Sequence, residues 1–333
     1  MSSLQSQQSL ASTLPTNLPA TFMKEITGDF APEREFGRSV FGIVYKGVLP
    51  EGDRLISVKR LAENSSVSAG KTFETEVTNL MALKHENVVE LVSFCHESQK
   101  KVVQHNGRYV IVDVIESCLC YKYLPNGSLD KHLYADTTPI NWYTRFNIIK
   151  GICQGLHFLH KELDGPLVHM NLVPSSIWLD DNWVPKIADF GLSRLFGQEQ
   201  TRMYTVNVKG HNGYMAPEYL YRGEISTMSD IYSLGMLILE ITTGEKNCSI
   251  PEDRSARIFV DNVHQNLKTD EQIIYKYPSL DPNGLQQVKA CIVIGLKCVE
   301  AERSKRPSIA DIVNKLNGNR VEIFEQVSPS QHP

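Results

Sequence analysis

The sequence of 333 residues lacks several features that would assign a class at once. No apolar run approaches the roughly 20 residues that cross a bilayer, so we expect no transmembrane segment. Basic and acidic residues number 34 and 38, and this near balance gives no sign of a nucleic-acid partner or an anionic membrane surface. The stretch from Met1 to Ala20 has no hydrophobic centre, and Ser2 stands where N-myristoylation needs glycine. These absences predict a cytoplasmic location, with recruitment to the plasma membrane left to partners.

Metal-binding and disulfide patterns are also missing. The seven cysteines form no C-x-x-C pair and show no metal-ligand spacing with histidine. Several lie in apolar stretches, for example Leu119-Cys120-Tyr121. The pattern predicts buried, reduced thiols.

The hydrophobic periodicity divides the chain into two halves. Short β-type runs dominate from Phe36 to Tyr123, with one helical pattern between Lys71 and Leu83. After Asn126-Gly127 the spacing becomes helical, as in the segment from Trp142 to His160. We therefore predict an α+β fold: a small antiparallel β-sheet lobe with one main helix, followed by a larger, mostly helical lobe.

The predicted boundaries follow from composition. We expect a flexible leader over residues 1–20, the sheet lobe over 21–124, the helical lobe over 125–318 and a flexible tail over 319–333. Within the sheet lobe, Asn106-Gly107 lies between Val-rich runs, which is a signal for a hairpin. We predict an elongated strand pair between Ser98 and Glu116, and a binding role for it stays open.

A glycine-rich run begins the motifs that carry chemistry. The residues Gly37-Arg38-Ser39-Val40-Phe41-Gly42 resemble the strand-turn-strand of protein kinases, in which small residues let backbone amides close over the phosphates of ATP. Ser39 replaces the middle glycine and gives the loop less freedom to approach phosphate. Alone, the run also fits an ordinary hairpin.

Further kinase-like motifs follow in the family's order. Ile56-Ser57-Val58-Lys59 stands where the V-A-I-K strand stands, and Glu76 lies on the next predicted helix. Later motifs are Asp189-Phe190-Gly191, Ala216-Pro217-Glu218, Asp230 and Arg306. The set resembles the domain of plant receptor-like kinases, of the receptor-like cytoplasmic or cysteine-rich type.

That resemblance implies a bilobal kinase fold, ATP with Mg²⁺ as the cofactor, and a role for each matching residue. Lys59 would pair with Glu76, Tyr121 would be the gatekeeper beside the adenine hinge, and Glu218 with Arg306 would form a structural ion pair. Trp178 could stack under a nucleotide, fill part of its pocket or rotate into the core. The implied nucleotide-binding positions are Gly37, Ser39, Gly42, Val44, Ser57, Lys59, Tyr121, Tyr123, Leu124 and Trp178, and the metal positions are Asp189 and Ser176.

The catalytic loop departs from the family pattern. Active members read H-R-D-L-K-x-x-N, whereas residues 169–176 read H-M-N-L-V-P-S-S. Asn171 replaces the proton-accepting aspartate, and an amide has negligible basicity. Val173 replaces the lysine that offsets charge on the transferring phosphoryl group, and Ser176 replaces an asparagine that binds magnesium. These catalytic positions are therefore degenerate.

Two more departures occur, one within that loop and one farther along the chain. Met170 replaces the arginine that pairs with a phosphorylated activation loop in many kinases, and His211 replaces a threonine that contacts the catalytic aspartate. The resemblance thus predicts a pseudokinase: a nucleotide-pocket-bearing signalling scaffold that binds other protein kinases or receptor complexes. A serine/threonine kinase of low activity, and a nucleotide-gated scaffold without transfer, are the alternatives.

Overall fold

A computed structural model describes residues 15–39, 41–50, 54–62, 69–81, 83–134, 140–247, 255–319 and 321–325. The chain divides into two compact units. The N-terminal unit comprises residues 1–127 together with Asp189–Gly191, and the C-terminal unit comprises 128–188 and 192–333. The division falls at Gly127, three residues after the predicted lobe boundary, and the Asp189–Gly191 motif belongs to the unit that precedes it in sequence.

A six-stranded sheet forms the N-terminal unit, in the order β1-β5-β6-β4-β3-β2. All neighbours are antiparallel except β1 and β5, which are parallel. The strands are β1 (Thr16–Asn17), β2 (Glu35–Ser39), β3 (Gly42–Val48), β4 (Leu55–Leu61), β5 (Leu91–His105) and β6 (Arg108–Lys122).

Two helices accompany this sheet: α1 (Ala20–Thr27) and α2 (Ala69–Leu80). Met23 and Ile26 of α1 join a core cluster with Val58 and the sheet cysteines. The predicted leader over residues 1–20 is therefore too long, because β1 pairs with β5 and Ala20 is fully buried. Apolar residues of α1 pack on the sheet and order this part of the chain, and residues 1–14 lie outside the described part.

The predicted hairpin is confirmed. Strands β5 and β6 pair from Leu91↔Tyr121 out to His105↔Arg108. The two residues between them, Asn106 and Gly107, have φ angles of 49° and 75°. Positive φ at both central positions is the requirement of a type I′ turn, and glycine and asparagine adopt it at least cost.

The C-terminal unit is mostly helical. The helix Thr227–Thr243 is buried along nearly its whole length, in agreement with its mostly apolar sequence. The helices are α3 (Asp130–Leu133), α4 (Trp142–His157), α5 (Pro217–Arg222), α6 (Thr227–Thr243), α7 (Ser255–Asn266), α8 (Asp270–Lys276), α9 (Pro282–Cys298), α10 (Ile309–Leu316) and α11 (Glu322–Glu325).

Short strands complete the described structure. They are β7 (Gly127–Ser128), β8 (Leu167–Val168), β9 (Ile177–Leu179), β10 (Pro185–Ile187), β11 (Arg194–Leu195), β12 (Met203–Tyr204) and β13 (Glu224–Ile225). The predicted flexible tail begins too early, because α11 lies within it and Phe324 is buried. The α+β fold class is confirmed.

Six cysteines, all except Cys248, lie in the described residues, and each is a buried free thiol. Burial raises the pKa of the thiols, to about 11 for Cys120 and about 12 for Cys95. Such thiols are poor nucleophiles at neutral pH because little thiolate forms. Among the described helices, none has the length and apolar character that a bilayer crossing demands.

Candidate active site

One face of the N-terminal sheet collects four of the predicted nucleotide-binding side chains. Strand register pairs Val44 with Lys59 and Ser57 with Tyr121, and paired residues share a face of the pleat. Ser57 and Lys59 are two residues apart on β4 and so point the same way. The Ser57 hydroxyl is buried and has no hydrogen-bond partner in the structure. This face therefore combines a charged group with an unsatisfied polar group.

Lys59 is the centre of a buried charge cluster. Its Nζ lies 2.9 Å from Glu76 Oε2 and 2.6 Å from Asp189 Oδ1, and all three side chains are almost fully buried. Burial disfavours the ammonium ion, but the charges of Asp189 and Glu76 outweigh it and raise the pKa of Lys59 to about 12. The predicted Lys59–Glu76 pair is present, and Asp189 makes it a triad.

Tyr121 extends the triad in a way that sequence reasoning missed. Its hydroxyl donates a hydrogen bond of 2.6 Å to Glu76 Oε1. Burial, together with the Glu76 charge, raises the pKa of Tyr121 well above its ordinary value, so the phenol stays protonated. The predicted gatekeeper thus also fixes the carboxylate that holds Lys59.

The glycine-rich turn lies next to this cluster in the same unit. A Cβ on Gly42 would come within 2.1 Å of the carbonyl oxygen of Arg60, so the close pairing of β3 with β4 requires glycine there. Phe41 is buried and its ring centroid lies 5.5 Å from Lys59 Nζ, a contact that the sequence did not indicate. Val40, at the turn, lies outside the described residues.

The hinge residues follow directly on β6. Leu124 is buried, and its carbonyl oxygen accepts a hydrogen bond from Gly127 N. The ring of Tyr123 lies 5.5 Å from that of Phe36, centroid to centroid, at the start of β2. These contacts place the hinge next to the strand that begins the glycine-rich turn, as the family resemblance implies.

In the C-terminal unit, Asp230 holds the backbone of the catalytic loop. Its carboxylate accepts hydrogen bonds from the N–H groups of His169 and Met170, at 2.7 and 2.8 Å, and from His160 Nε2 at 2.8 Å. Met170 has a φ angle of 66°, a conformation that is costly for a side chain of this size. Asp230 therefore stabilises a strained loop whose chemical residues have changed.

His169 contributes a second support for the loop. Its Nε2–H donates to the carbonyl oxygen of Ala188 at 2.9 Å, and its Nδ1 accepts from Asn171 N at 3.2 Å. These two bonds require the neutral tautomer with the proton on Nε2. The first residue of the loop keeps its framework role.

The side chains of Asn171 and Ser176, at two of the degenerate positions, form hydrogen bonds with neighbouring groups. Asn171 Oδ1 accepts a hydrogen bond from His211 Nδ1 at 2.9 Å, while Asn171 Nδ2 is buried without a partner. Ser176 Oγ donates to the carbonyl oxygen of Val173 at 2.9 Å and accepts from Val173 N at 3.1 Å. The two unusual residues, Asn171 and His211, therefore contact each other, and the Ser176 hydroxyl closes a local turn.

Little space remains beside these side chains. A cavity of about 10 Å³ lies between the catalytic loop and the segment around Met215, with Val173 among its lining residues. That volume holds about one water molecule. The Val173 side chain itself is 3% exposed, so a hydrocarbon occupies the position at which the family carries an ammonium group.

The predicted structural ion pair is present. Arg306 Nη1 and Nη2 donate to Glu218 Oε1 and Oε2 at 2.7 and 2.8 Å, a bidentate arrangement. Trp178 is buried in β9 opposite Lys186. Its contact with a nucleotide stays a prediction, as do the metal roles of Asp189 and Ser176.

The comparisons agree with these motifs. A family model described as protein tyrosine and serine/threonine kinase matches residues 30–316. The chain is 37% identical over 324 residues to Cysteine-rich receptor-like protein kinase 6 of Oryza sativa subsp. japonica, and 37% identical over 319 residues to Cysteine-rich receptor-like protein kinase 8 of Arabidopsis thaliana. It is 36% identical over 310 residues to Cysteine-rich receptor-like protein kinase 44 of Arabidopsis thaliana.

These alignments cover 96%, 92% and 91% of this chain but 43%, 44% and 77% of the three relatives. The chain thus spans less than half the length of the first two relatives. The match to the family model covers both units, and the Lys59–Glu76–Asp189 and Glu218–Arg306 contacts are those that the family motifs imply. The chain belongs to the protein tyrosine and serine/threonine kinase family, as a receptor-like protein kinase domain.

Proposed function

We propose that this receptor-like kinase domain is a pseudokinase, a signalling scaffold that keeps nucleotide-binding groups and docks on other protein kinases or receptor complexes. The observation that supports it most directly is the state of the catalytic loop. Asn171, Val173 and Ser176 offer an amide, a buried isopropyl group and a hydroxyl bonded to its own turn. None of these three groups can accept a proton at neutral pH or supply positive charge.

Unlike the catalytic loop, the N-terminal unit offers charged groups that suit ATP with Mg²⁺. Lys59 carries a fixed positive charge for phosphate oxygens, and Asp189 carries a carboxylate, the ligand type that Mg²⁺ prefers. The unsatisfied Ser57 hydroxyl shares a sheet face with Lys59 and could bond a polar ligand atom. A bound nucleotide would supply the phosphoryl group, and Mg²⁺ would supply positive charge. The residues of this chain would bind and orient both.

Location and partners belong to the same proposal. Relatives whose names describe receptor-like kinases motivate a cytoplasmic role near the plasma membrane, to which partners would recruit the domain. The near balance of charge favours protein partners over nucleic acid.

A low-activity serine/threonine kinase is the second candidate, and the assembled Lys59–Glu76–Asp189 triad favours it. Radiometric phosphotransfer at long incubation separates the two candidates, with Lys59→Arg as the control that keeps the buried charge. We expect no incorporation above background for the wild-type protein. Incorporation that Lys59→Arg abolishes, while circular dichroism shows that the variant is folded, would overturn the pseudokinase proposal.

Nucleotide binding needs a separate measurement. Binding to the native state alone raises the unfolding temperature, so thermal unfolding with Mg²⁺ alone, Mg-ADP and Mg-ATP reports occupancy without catalysis. We expect a rise with Mg-ATP that exceeds the rise with Mg²⁺ alone. Equal curves under all three conditions would remove nucleotide binding from the proposal and leave a scaffold.

A further inference from the structure

The hairpin of β5 and β6 extends well beyond the sheet that contains it. Among the described residues, β4 pairs with β6 only over Cys118–Lys122, and β1 pairs with β5 only at Ser93 and Phe94. Residues 97–105 and 108–116 therefore form a two-stranded ribbon. Such a ribbon is marginally stable by itself in water, so a long one with apolar side chains needs a further surface to pack on.

The pleat divides the ribbon's side chains between two faces. Lys24 of α1 donates to Gln99, and Ala20 N donates to Glu97, so α1 lies along the face that carries odd-numbered β5 residues. On that face Val112 and Val114 are partly buried.

The opposite face is exposed throughout. It carries Ser98, Lys100, Val102 and Gln104 from β5, and Tyr109, Ile111, Asp113 and Ile115 from β6, and we call these eight residues the ribbon face. Tyr109 is 76% exposed, Ile111 70% and Val102 66%. Exposed apolar residues placed side by side on a sheet mark an interaction surface more often than scattered ones do.

The charges on the ribbon face indicate what covers it. Lys100 lies opposite Asp113, and Val102 lies opposite Ile111 in the next row. Both charged residues are exposed, and they cancel, so the face offers no single sign of charge to an anionic membrane or to a strongly charged protein. A surface complementary to the ribbon face needs an acidic side chain over Lys100 and a basic side chain over Asp113. It also needs apolar side chains over Val102 and Ile111.

A second copy of the same face supplies that pattern. When two sheets stack about 10 Å apart around a two-fold axis parallel to the strands, β5 of each copy lies over β6 of the other. Lys100 then lies over Asp113 of the partner copy, and Val102 over Ile111, each contact occurring twice. We infer that the ribbon face is a docking site for a second copy of this chain. This inference does not depend on phosphoryl transfer.

Charge-exchange variants test this register. Lys100→Asp places two acidic residues over each other in both symmetric contacts, and Asp113→Lys places two basic residues there. Each variant alone should dimerise about tenfold or more weakly than wild type, since like charges in an interface are unfavourable. An equimolar mixture of the two restores both attractive contacts, so it should dimerise as well as wild type.

Sedimentation velocity of the 333-residue chain over a concentration series gives the readout. Ile111→Lys should abolish the dimer, whereas the matched control Ile274→Lys, at a half-exposed isoleucine of α8, should leave it unchanged. Circular dichroism confirms that each variant is folded. A wild-type protein that stays monomeric at every concentration, a dimer that Ile111→Lys does not affect, or a charge-variant mixture that stays monomeric would each overturn the inference.

Discussion

The N-terminal charge cluster keeps the residues of the kinase motifs, whereas the C-terminal catalytic loop departs from them. Lys59, Glu76 and Asp189 form a buried triad of charges, with Tyr121 bonded to it. In the catalytic loop, charged residues have been replaced by neutral ones, and Asn171 and His211 contact each other. The two sets of motif residues can therefore change independently, because different elements of the fold position them.

The loop keeps its framework contacts although residues at its chemical positions differ from the family pattern. Asp230 still accepts three hydrogen bonds, and Glu218 still pairs with Arg306. These contacts stabilise the fold, so their loss would lower the stability of the domain whether or not it transfers phosphate. The comparison predicts that restoring four side chains is enough to recover chemistry.

The largest expected effect comes from restoring those side chains together. The quadruple variant carries Asn171→Asp, Val173→Lys, Ser176→Asn and His211→Thr. In that order, the four changes restore a base, a positive charge, a metal ligand and a hydroxyl. His211 must change with Asn171, because its Nδ1 is hydrogen-bonded to the side-chain Oδ1 of that residue. We expect radiometric phosphotransfer about 10²- to 10⁴-fold above the wild-type level, dependent on Lys59. A folded quadruple variant with no gain would place a second defect in the N-terminal unit.

Asp230→Ala should cause the largest loss of stability. It leaves two loop N–H groups and His160 without their buried acceptor, and it removes the support for Met170 at positive φ. We expect the free energy of unfolding to fall by about 3–5 kcal/mol. Urea denaturation measures the loss, with Asp181→Ala, at an exposed acid, as the control. Equal midpoints for the two variants would contradict the framework role.

Tyr121→Phe tests the fourth member of the N-terminal cluster. The change keeps the ring and removes one hydrogen bond to a buried carboxylate, which should cost about 1–3 kcal/mol of unfolding free energy. Tyr204→Phe, at a tyrosine that is 68% exposed, is the matched control and should be neutral. Urea denaturation measures the free energy of unfolding of both variants. An unchanged value for Tyr121→Phe would show that the hydrogen bond to Glu76 contributes nothing to stability.

The smallest expected effect is a loss of unfolding free energy at alkaline pH. Because the pKa of Lys59 is raised to about 12 in the folded protein, its charge contributes stability that is fully present below about 10.5 and is lost as pH rises through 12. Wild type should therefore lose unfolding free energy faster than Lys59→Met in this window. Parallel pH curves for the two proteins would contradict the charged triad.

The motif order from Gly37 to Arg306 predicted the fold class, the Lys59–Glu76 pair and the degenerate loop. The Asn106-Gly107 turn predicted the hairpin, because its backbone requirement is local to two residues. The ends of the ordered chain were less predictable. Ala20 and Phe324 lie in polar stretches, yet packing on distant residues buries both.

By itself, the sequence determined which chemical groups the domain possesses and which it has lost, since a motif fixes residue type and order. Only the tertiary structure decided that Tyr121 bonds Glu76, that Asn171 bonds His211 and that one face of the long ribbon is exposed from end to end. The physical reason is distance along the chain: 45 residues separate Tyr121 from Glu76, and 40 separate Asn171 from His211. Local propensities do not encode such contacts, which exist only after sheet register and loop conformation have been set.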